Sequence, residues 1–297
     1  MMDFIPLDIL IQLLVNGILF GTMYGIAAIG LSLIYGTMQI IFIAQGTMII
    51  LAAYGSFWLF NLWSVDPYVS LLLVLPASLI VGIGLYQALF RKVARAGKFP
   101  SLLIAFGLMA LLENLMSVLF TANSRGIQTS YASYAFDVMG IQIAFTRLMA
   151  FVMAVLGTVG VTFFLKKTLL GKAVRAASEN LEYAMLVGIT PYQVNTITFA
   201  LGIGLAGLAG VATATTYAFD PFTGFVFGLK AMIALALGGM GSVVGALLGG
   251  ILLGILESVG AFFLTGGWAD AISYAVFLII LMFKPEGLFS RDVSAKL

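Results

Sequence analysis

Long apolar runs separated by short polar stretches repeat from Ile9 to Phe283. A hydrocarbon core of about 30 Å takes roughly 20 helical residues to cross, and several runs have that length. Inside lipid every backbone amide must be satisfied within the structure, which leaves helices or closed barrels. Barrel strands alternate apolar and polar residues, whereas Met149–Leu165 and Ile272–Phe283 are apolar on every face. The expected fold is all-α, a polytopic membrane bundle of eight or nine transmembrane helices.

Composition agrees: 62% of residues are hydrophobic and 9% charged, against about a quarter charged in soluble domains. Residues 1–297 therefore read as one transmembrane domain with no room for a sizeable soluble one. The chain has neither histidine nor cysteine. That excludes disulfides, thiol catalysis, imidazole acid–base work and the usual zinc and haem ligand sets, so no metal site is expected. A net charge of +2 carries no nucleic-acid signal. Met1–Pro6 holds Asp3 and no basic residue, unlike a cleavable signal, so the first span is expected to be retained.

Spans are placed at about 9–34, 38–60, 69–90, 101–121, 146–165, 192–216, 225–241, 243–264 and 270–284. Basic residues cluster in three polar stretches: Arg91, Lys92, Arg95 and Lys98; Lys166, Lys167, Lys172 and Arg175; Lys284, Arg291 and Lys296. Intervening loops hold Asp66; Arg125, Asp137 and Arg147; Asp220; and Asp270. The positive-inside rule puts the three clusters in the cytoplasm. Nine spans with the N-terminus outside satisfy all of them. Two segments are irregular. Ile40–Gly55 carries Gln45, Gly46 and Thr47 early and reads as a broken or re-entrant helix, a feature that often marks a substrate path. Phe225–Leu264 is interrupted by Gly238-Gly239-Met240-Gly241-Ser242 and reads as a tight helical hairpin.

Small residues recur every four positions at Gly17, Gly21 and Gly25, at Gly202, Ala206 and Gly210, and at Gly241, Gly245 and Gly249. That spacing lets helix backbones approach closely in lipid, first of all within one bundle. Gly202-Ile203-Gly204-Leu205-Ala206-Gly207 matches a dinucleotide fingerprint only as a string, since no strand precedes it and no suitable acidic residue follows. The Gly-Lys pairs at Gly97-Lys98 and Gly171-Lys172 lack the phosphate-loop context. ATP hydrolysis by this chain is not expected.

The stretch from Gly171 to Ile189 is too polar to span. Ala173, Ala177, Leu181, Ala184 and Met185 recur at helical spacing, with Lys172, Arg175, Glu179 and Glu182 on other faces. The spacing predicts one short amphipathic helix, stopped by Gly188 and Pro191. It either docks into a partner's groove or lies on anionic headgroups.

This stretch resembles the coupling-helix region of importer permeases driven by ATP-binding cassettes, whose loose signature is Glu-Ala-Ala, three residues, Gly. Glu182, Ala184 and Gly188 hold three of those places; Tyr183 stands for the first alanine, and the usual Ile-x-Leu-Pro ending is absent. The wider pattern resembles the shorter type of branched-chain amino-acid permease. It lies in Gly25–Gly36, Ala44-Gln45-Gly46 with Ala52-Ala53-Tyr54, Thr198–Gly210, Gly238–Ser242 with Gly245 and Gly249, and Pro285–Phe289. One departure is Phe42, where the family usually has Asn. The resemblance implies a permease subunit, not an enzyme, that imports branched-chain or other hydrophobic amino acids across a bacterial inner membrane. It implies a second related permease subunit, in a heterodimer, two ATP-binding cassette subunits that hold ATP and Mg, and an external binding protein. No cofactor is expected on this chain. Coupling to the ATPase then falls on Lys172, Arg175, Glu179, Asn180, Glu182, Ala184 and Gly188, in a region of about 171–190.

Carboxylates at span centres cost at least about 2.5–3.5 kcal/mol and are functional suspects. Glu113 sits beside Asn114, and Glu257 beside Ser258. Each either lines a path for a substrate ammonium group or ties helices together. Asn16, Tyr24, Gln45 and Gly46 are the other path candidates. Two alternatives stay open: within the importer class that the resemblance implies, a permease for urea or short amides, and, from the residues, an ion-coupled secondary transporter using Glu113 or Glu257. The missing His, Cys and convergent carboxylates argue against an intramembrane enzyme.

Overall fold

The structure is a computed structural model that describes residues 7–93, 97–138, 140–263, 268–284 and 287–289. Asp3, Arg95, Pro285, Glu286, Arg291 and Lys296 lie outside the described residues. The helices are α1 (Leu7–Met38), α2 (Gln45–Trp63), α3 (Pro67–Leu85), α4 (Arg91–Val93), α5 (Lys98–Phe120), α6 (Phe145–Lys167), α7 (Leu169–Glu179), α8 (Leu181–Leu186), α9 (Pro191–Thr216), α10 (Thr223–Gly238), α11 (Val243–Phe263) and α12 (Trp268–Phe283). A π-helical turn, Tyr86–Phe90, joins α3 to α4.

Each of the nine expected stretches is occupied by a helix. Seven are long and apolar enough to cross a membrane, while Thr223–Gly238 and Tyr274–Phe283 are shorter apolar helices. Local chemistry sets their starts. Asp66 accepts from Tyr68 N at 2.9 Å ahead of Pro67, so α3 begins with a cap and a proline at its first position. Asp220 likewise accepts from the amides of Phe222 and Thr223 at the head of α10.

The core is built around α1, which packs on α9, α10 and α11. A β-carbon added at Gly17 would stand 2.7 Å from the Ile255 Cα, and one at Gly25 would stand 2.8 Å from the Leu247 side chain. Helices this close need residues without side chains on the facing stripe, which is the packing device available in lipid. The stripe in α11 differs from the expected one. Gly245 and Gly249 face Gly238 and Ala234 of α10, while Gly250 and Gly254 face Gly21 of α1. Gly241 belongs to the turn before α11, with φ +87°. Two glycine faces on one helix let it pack closely against two neighbours at once. The Gly202–Gly207 string is packing as expected, its glycines set against Ile34, Leu79 and Ser78.

Four further findings depart from the sequence reading. The second helix starts at Gln45 instead of residue 38, because Gln39 turns left-handed at φ 54° and ends α1 at Met38. Residues 135–144 form a β-hairpin, Ala135–Val138 paired antiparallel with Ile141–Ala144, so the fold is not purely helical. Asp137 accepts from Gly140 N at 2.9 Å in its turn. The side-chain amide of Gln12 exchanges two hydrogen bonds of 2.8 Å with the backbone of Gln142, tying the hairpin to α1. Third, the single amphipathic helix expected over 171–189 is two helices. Asn180 is extended, at φ −157° and ψ 110°, and its side chain caps α8 by accepting from Tyr183 N. A capping Asn competes with helix continuation. Fourth, the buried face there is Gly171, Val174, Ala177 and Ala184, whereas Met185 is exposed.

The two ends of the bundle are chemically distinct. One gathers Arg91, Lys92, Lys166, Lys167, Lys172, Arg175 and Lys284 with α7 and α8. The other carries the hairpin, Asp66 and Asp220. There Tyr131 donates to Asp66 at 2.6 Å, and burial together with that carboxylate pushes the phenol well above its ordinary range.

Candidate functional site

The residues proposed for a path separate into two clusters. The first lies toward the hairpin end and gathers Asn16, Tyr24 and Glu257. It also gathers two cations. Arg147, at the head of α6, donates to Asn16 Oδ1 at 2.9 Å and stacks over the Phe20 ring at 4.2 Å. Lys230, in the middle of α10, is paired with Glu257, stands 3.4 Å from the Tyr24 hydroxyl and lies 5.3 Å over that ring. Rings connect the two cations: Phe20 to Tyr217 at 5.4 Å, Tyr217 to Phe227 at 5.9 Å, and Phe227 to Tyr24 at 6.1 Å. Ser258, beside Glu257, donates to the Leu13 carbonyl at 2.8 Å and fixes α11 on α1.

Lys230 is the residue that sequence reading passes over. A lone lysine inside the apolar stretch 225–241 is visible in the sequence, and its cost in lipid is as high as that of Glu257. Its pairing with Glu257, which lies on the next helix, is not. The pair sets a cation against Glu257, so that carboxylate is not a lone acid inside the bundle.

The second cluster surrounds the start of α2. Gln45 is fully buried; its Nε2 donates to the Gly202 carbonyl at 3.0 Å, while Oε1 has no hydrogen-bond partner among the described residues. Gly46 is pressed against Gly224 and Gly228 of α10, so a methyl group there would collide with the Gly224 carbonyl. Thr47 is 3.4 Å from the Glu113 carboxylate. The irregular segment ahead of α2 buries Ile40, Phe42 and Ala44 while Gln39 and Ile41 stay exposed, and non-helical backbone is tolerated at its buried part because protein surrounds it. Phe42 fills that segment with an aromatic cluster, edge-on to Phe90 at 5.6 Å and to Phe199 at 5.0 Å. Asn114 does not join it. It is exposed on α5 and donates back to the Ala110 carbonyl at 2.7 Å.

α10 stands between the clusters. Gly224 and Gly228 meet α2, and Phe227 and Lys230 meet α1 and α11. At the basic end, a cavity of about 750 Å³ is lined by Ser32, Tyr35, Gly36, Lys166, Arg175, Ser178 and the turn at Gly241-Ser242.

The residues assigned to coupling lie at that same end. Gly171 packs on the Phe164–Leu165 backbone, and Val174 and Ala177 are buried, so α7 is fastened beneath the bundle. Lys172, Arg175, Glu179, Asn180 and Glu182 are exposed, and Ala184 is buried. Gly188 is left-handed at φ +86°, as a turn into α9 requires. Sequence reading misses an exposed apolar knob formed by Tyr183 (69%), Leu186 (82%) and Val187 (76%). In sequence they are apolar residues following Glu182 in an amphipathic stretch, with nothing to mark them as outward-facing.

The profile of the family described as "Branched-chain amino acid transport system / permease component" matches residues 13–281. The chain is 30% identical to the high-affinity branched-chain amino acid transport system permease protein BraD of Pseudomonas aeruginosa, over 95% of this chain and 96% of that protein. It is 29% identical to the corresponding permease protein LivH of Escherichia coli K12, with the same coverage. It is also 31% identical to the autoinducer 2 import system permease protein LsrC of Salmonella paratyphi B, over 70% of this chain and 61% of that one. No solved structure matches.

Proposed function

The chain belongs to the branched-chain amino acid transport permease family, as a membrane transport subunit rather than an enzyme, and from that premise we propose that it imports branched-chain or other hydrophobic amino acids into the cytoplasm as part of an ATP-driven complex. The observation that carries this reading is the reach of the family match, which runs from α1 into α12 and so through the whole bundle. An external binding protein delivers the substrate to the hairpin end. The substrate then passes the cluster around Tyr24, Glu257 and Asn16 and the break at Gln45 and Gly46, and leaves at the basic end.

The protein is a multi-pass inner-membrane protein, and the basic end faces the cytoplasm by the positive-inside rule, which puts the N-terminus outside. A second related permease subunit covers α5. Glu113 and the exposed Asn114 support this, because polar groups at that depth are costly against lipid. Two ATP-binding cassette subunits carry ATP and Mg, and this chain holds no cofactor.

Coupling runs through α7 and α8, with Lys172, Arg175, Glu179, Asn180, Glu182, Ala184 and Gly188 shaping the contact and the Tyr183–Leu186–Val187 knob filling an ATPase groove. Anionic headgroups would repel Glu179 and Glu182 beside that knob, so a protein groove suits it better than a lipid surface. Vesicles containing the chain with its co-expressed partners should take up leucine only with ATP inside. Glu182→Lys should leave membrane insertion intact yet abolish substrate-stimulated hydrolysis. Normal coupling in Glu182→Lys would sink the docking assignment, and ATP-independent uptake by the isolated chain would sink the importer reading.

A further inference from the structure

Lys230 and Glu257 form an ion pair whose structural value is small. α10 and α11 are already held backbone to backbone by Gly238 against Gly245 and by Ala234 against Gly249. At such a seam an apolar pair of similar volume does as well as an ion pair, or better, because it avoids the desolvation of two charges. Both residues nevertheless lie on inward stripes. Glu257 shares its helix face with buried Gly250, Leu253, Gly254 and Gly260, and Lys230 with buried Phe227, Ala231 and Ala234. The Glu257 side chain retains more exposure than the Lys230 side chain, 24% against 11%.

Arg147 supplies a second cation in the same neighbourhood. Tyr217, whose ring touches those of Phe20 and Phe227, lies within electrostatic reach of Arg147, Lys230, Glu257 and Tyr24 together. Among the described residues the cluster thus holds two cations, the Glu257 carboxylate and a wall of rings. From this juxtaposition we infer that Arg147, Lys230 and Glu257 form a charge-matched contact for a zwitterionic amino acid. The substrate carboxylate meets the cation in excess, its ammonium group displaces Lys230 on Glu257, and its apolar side chain lies on Phe20, Tyr217 and Phe227. A zwitterion adds no net charge, so the cluster holds one cation in excess both before and after the exchange, and the contact can be weak enough to release.

This contact rests on the amino-acid permease reading, and the test separates the two. In vesicles holding the assembled importer, ATP-driven leucine uptake is compared for the unaltered chain, for Lys230→Met with Glu257→Leu, and for Lys230→Glu with Glu257→Lys. The first double variant keeps the seam filled and the second restores an ion pair in reverse. A tie between helices survives both changes, whereas a zwitterion contact should lose uptake about tenfold or more in both. Uptake within about twofold of the unaltered chain in either variant would overturn the contact. A second measurement needs no variant: a diazirine analogue of leucine, photolysed during turnover of the unaltered importer, should label peptides holding Phe20, Tyr217 or Phe227. Labelling confined to other peptides would overturn the contact even where the variants fail to assemble. An unaltered assembly that takes up no leucine would instead overturn the substrate reading, and this contact with it.

Discussion

The glycine-seamed core and the peripheral helix α5 solve the same problem, staying in a membrane, by opposite means. α1 and α9 have 89% of their most apolar windows buried inside the protein, while α5 has 22%. The core helices spend their surface on small residues and bring backbones together; α5 presents Leu103, Phe106, Leu111 and Val118 outward. Each region carries a carboxylate. Glu257 lies against the core seam beside a lysine. Glu113, on α5, meets a neutral hydroxyl instead, that of Thr47 at 3.4 Å. The difference teaches that hydropathy alone says little about a residue's surroundings in such a chain. Small residues repeated every four positions say more, because a stripe such as Gly17, Gly21 and Gly25 meets a neighbouring backbone, while a single glycine such as Gly107 need not.

The largest effect should come from the core. Gly46→Leu places a branched side chain into the Gly224 and Gly228 backbone. Overpacking there should cost about 3 kcal/mol or more, seen as loss of monodisperse protein after detergent extraction. Tolerance of leucine would mean that α2 does not seat on α10 at this point. Lys230→Met comes next. It leaves the Glu257 carboxylate without its partner, and a loss of about 2–3 kcal/mol follows for a pair that is mostly but not wholly buried. A thermal unfolding midpoint unchanged by this substitution would dissolve the contrast between the two carboxylates.

Glu113→Gln should act more gently. The amide can still accept from Thr47, so stability should shift by less than about 1 kcal/mol. A drop matching that of Lys230→Met would show Glu113 to be as tightly compensated as Glu257. The smallest effect is expected at Gly107, where nothing stands within 4 Å of an added β-carbon. Gly107→Ala should be neutral or stabilising by up to about 1 kcal/mol through helix propensity. Loss of partner subunits on purification of this variant would place a tight protein contact on that face of α5.

Much of this molecule is legible in the order of its residues. Hydrophobic runs locate every long helix because the bilayer enforces length and apolarity on each segment separately, with no reference to its neighbours. The Gly238–Ser242 turn is legible for a similar reason: Gly239 and Gly241 take φ +91° and +87°, a local demand that glycine advertises. Asn180 shows the limit of such reading. Its polarity suits an amphipathic helix face, yet its side chain caps α8 and splits the helix, since a capping residue and a solvent-facing one look alike in sequence.

The sequence by itself determined the solvent, the helix positions, the charge asymmetry of the ends and the family pattern. All of these rest on local composition or on order along the chain. Only the tertiary structure decided which charges meet. Lys230 finds Glu257 on the next helix, and Arg147 finds Asn16, 131 residues away. It likewise decided which glycine face of α11 serves α1 and which serves α10. Such choices depend on how helices rotate about their axes when they pack. That rotation is fixed by the sum of contacts with several neighbours, and no single segment carries it.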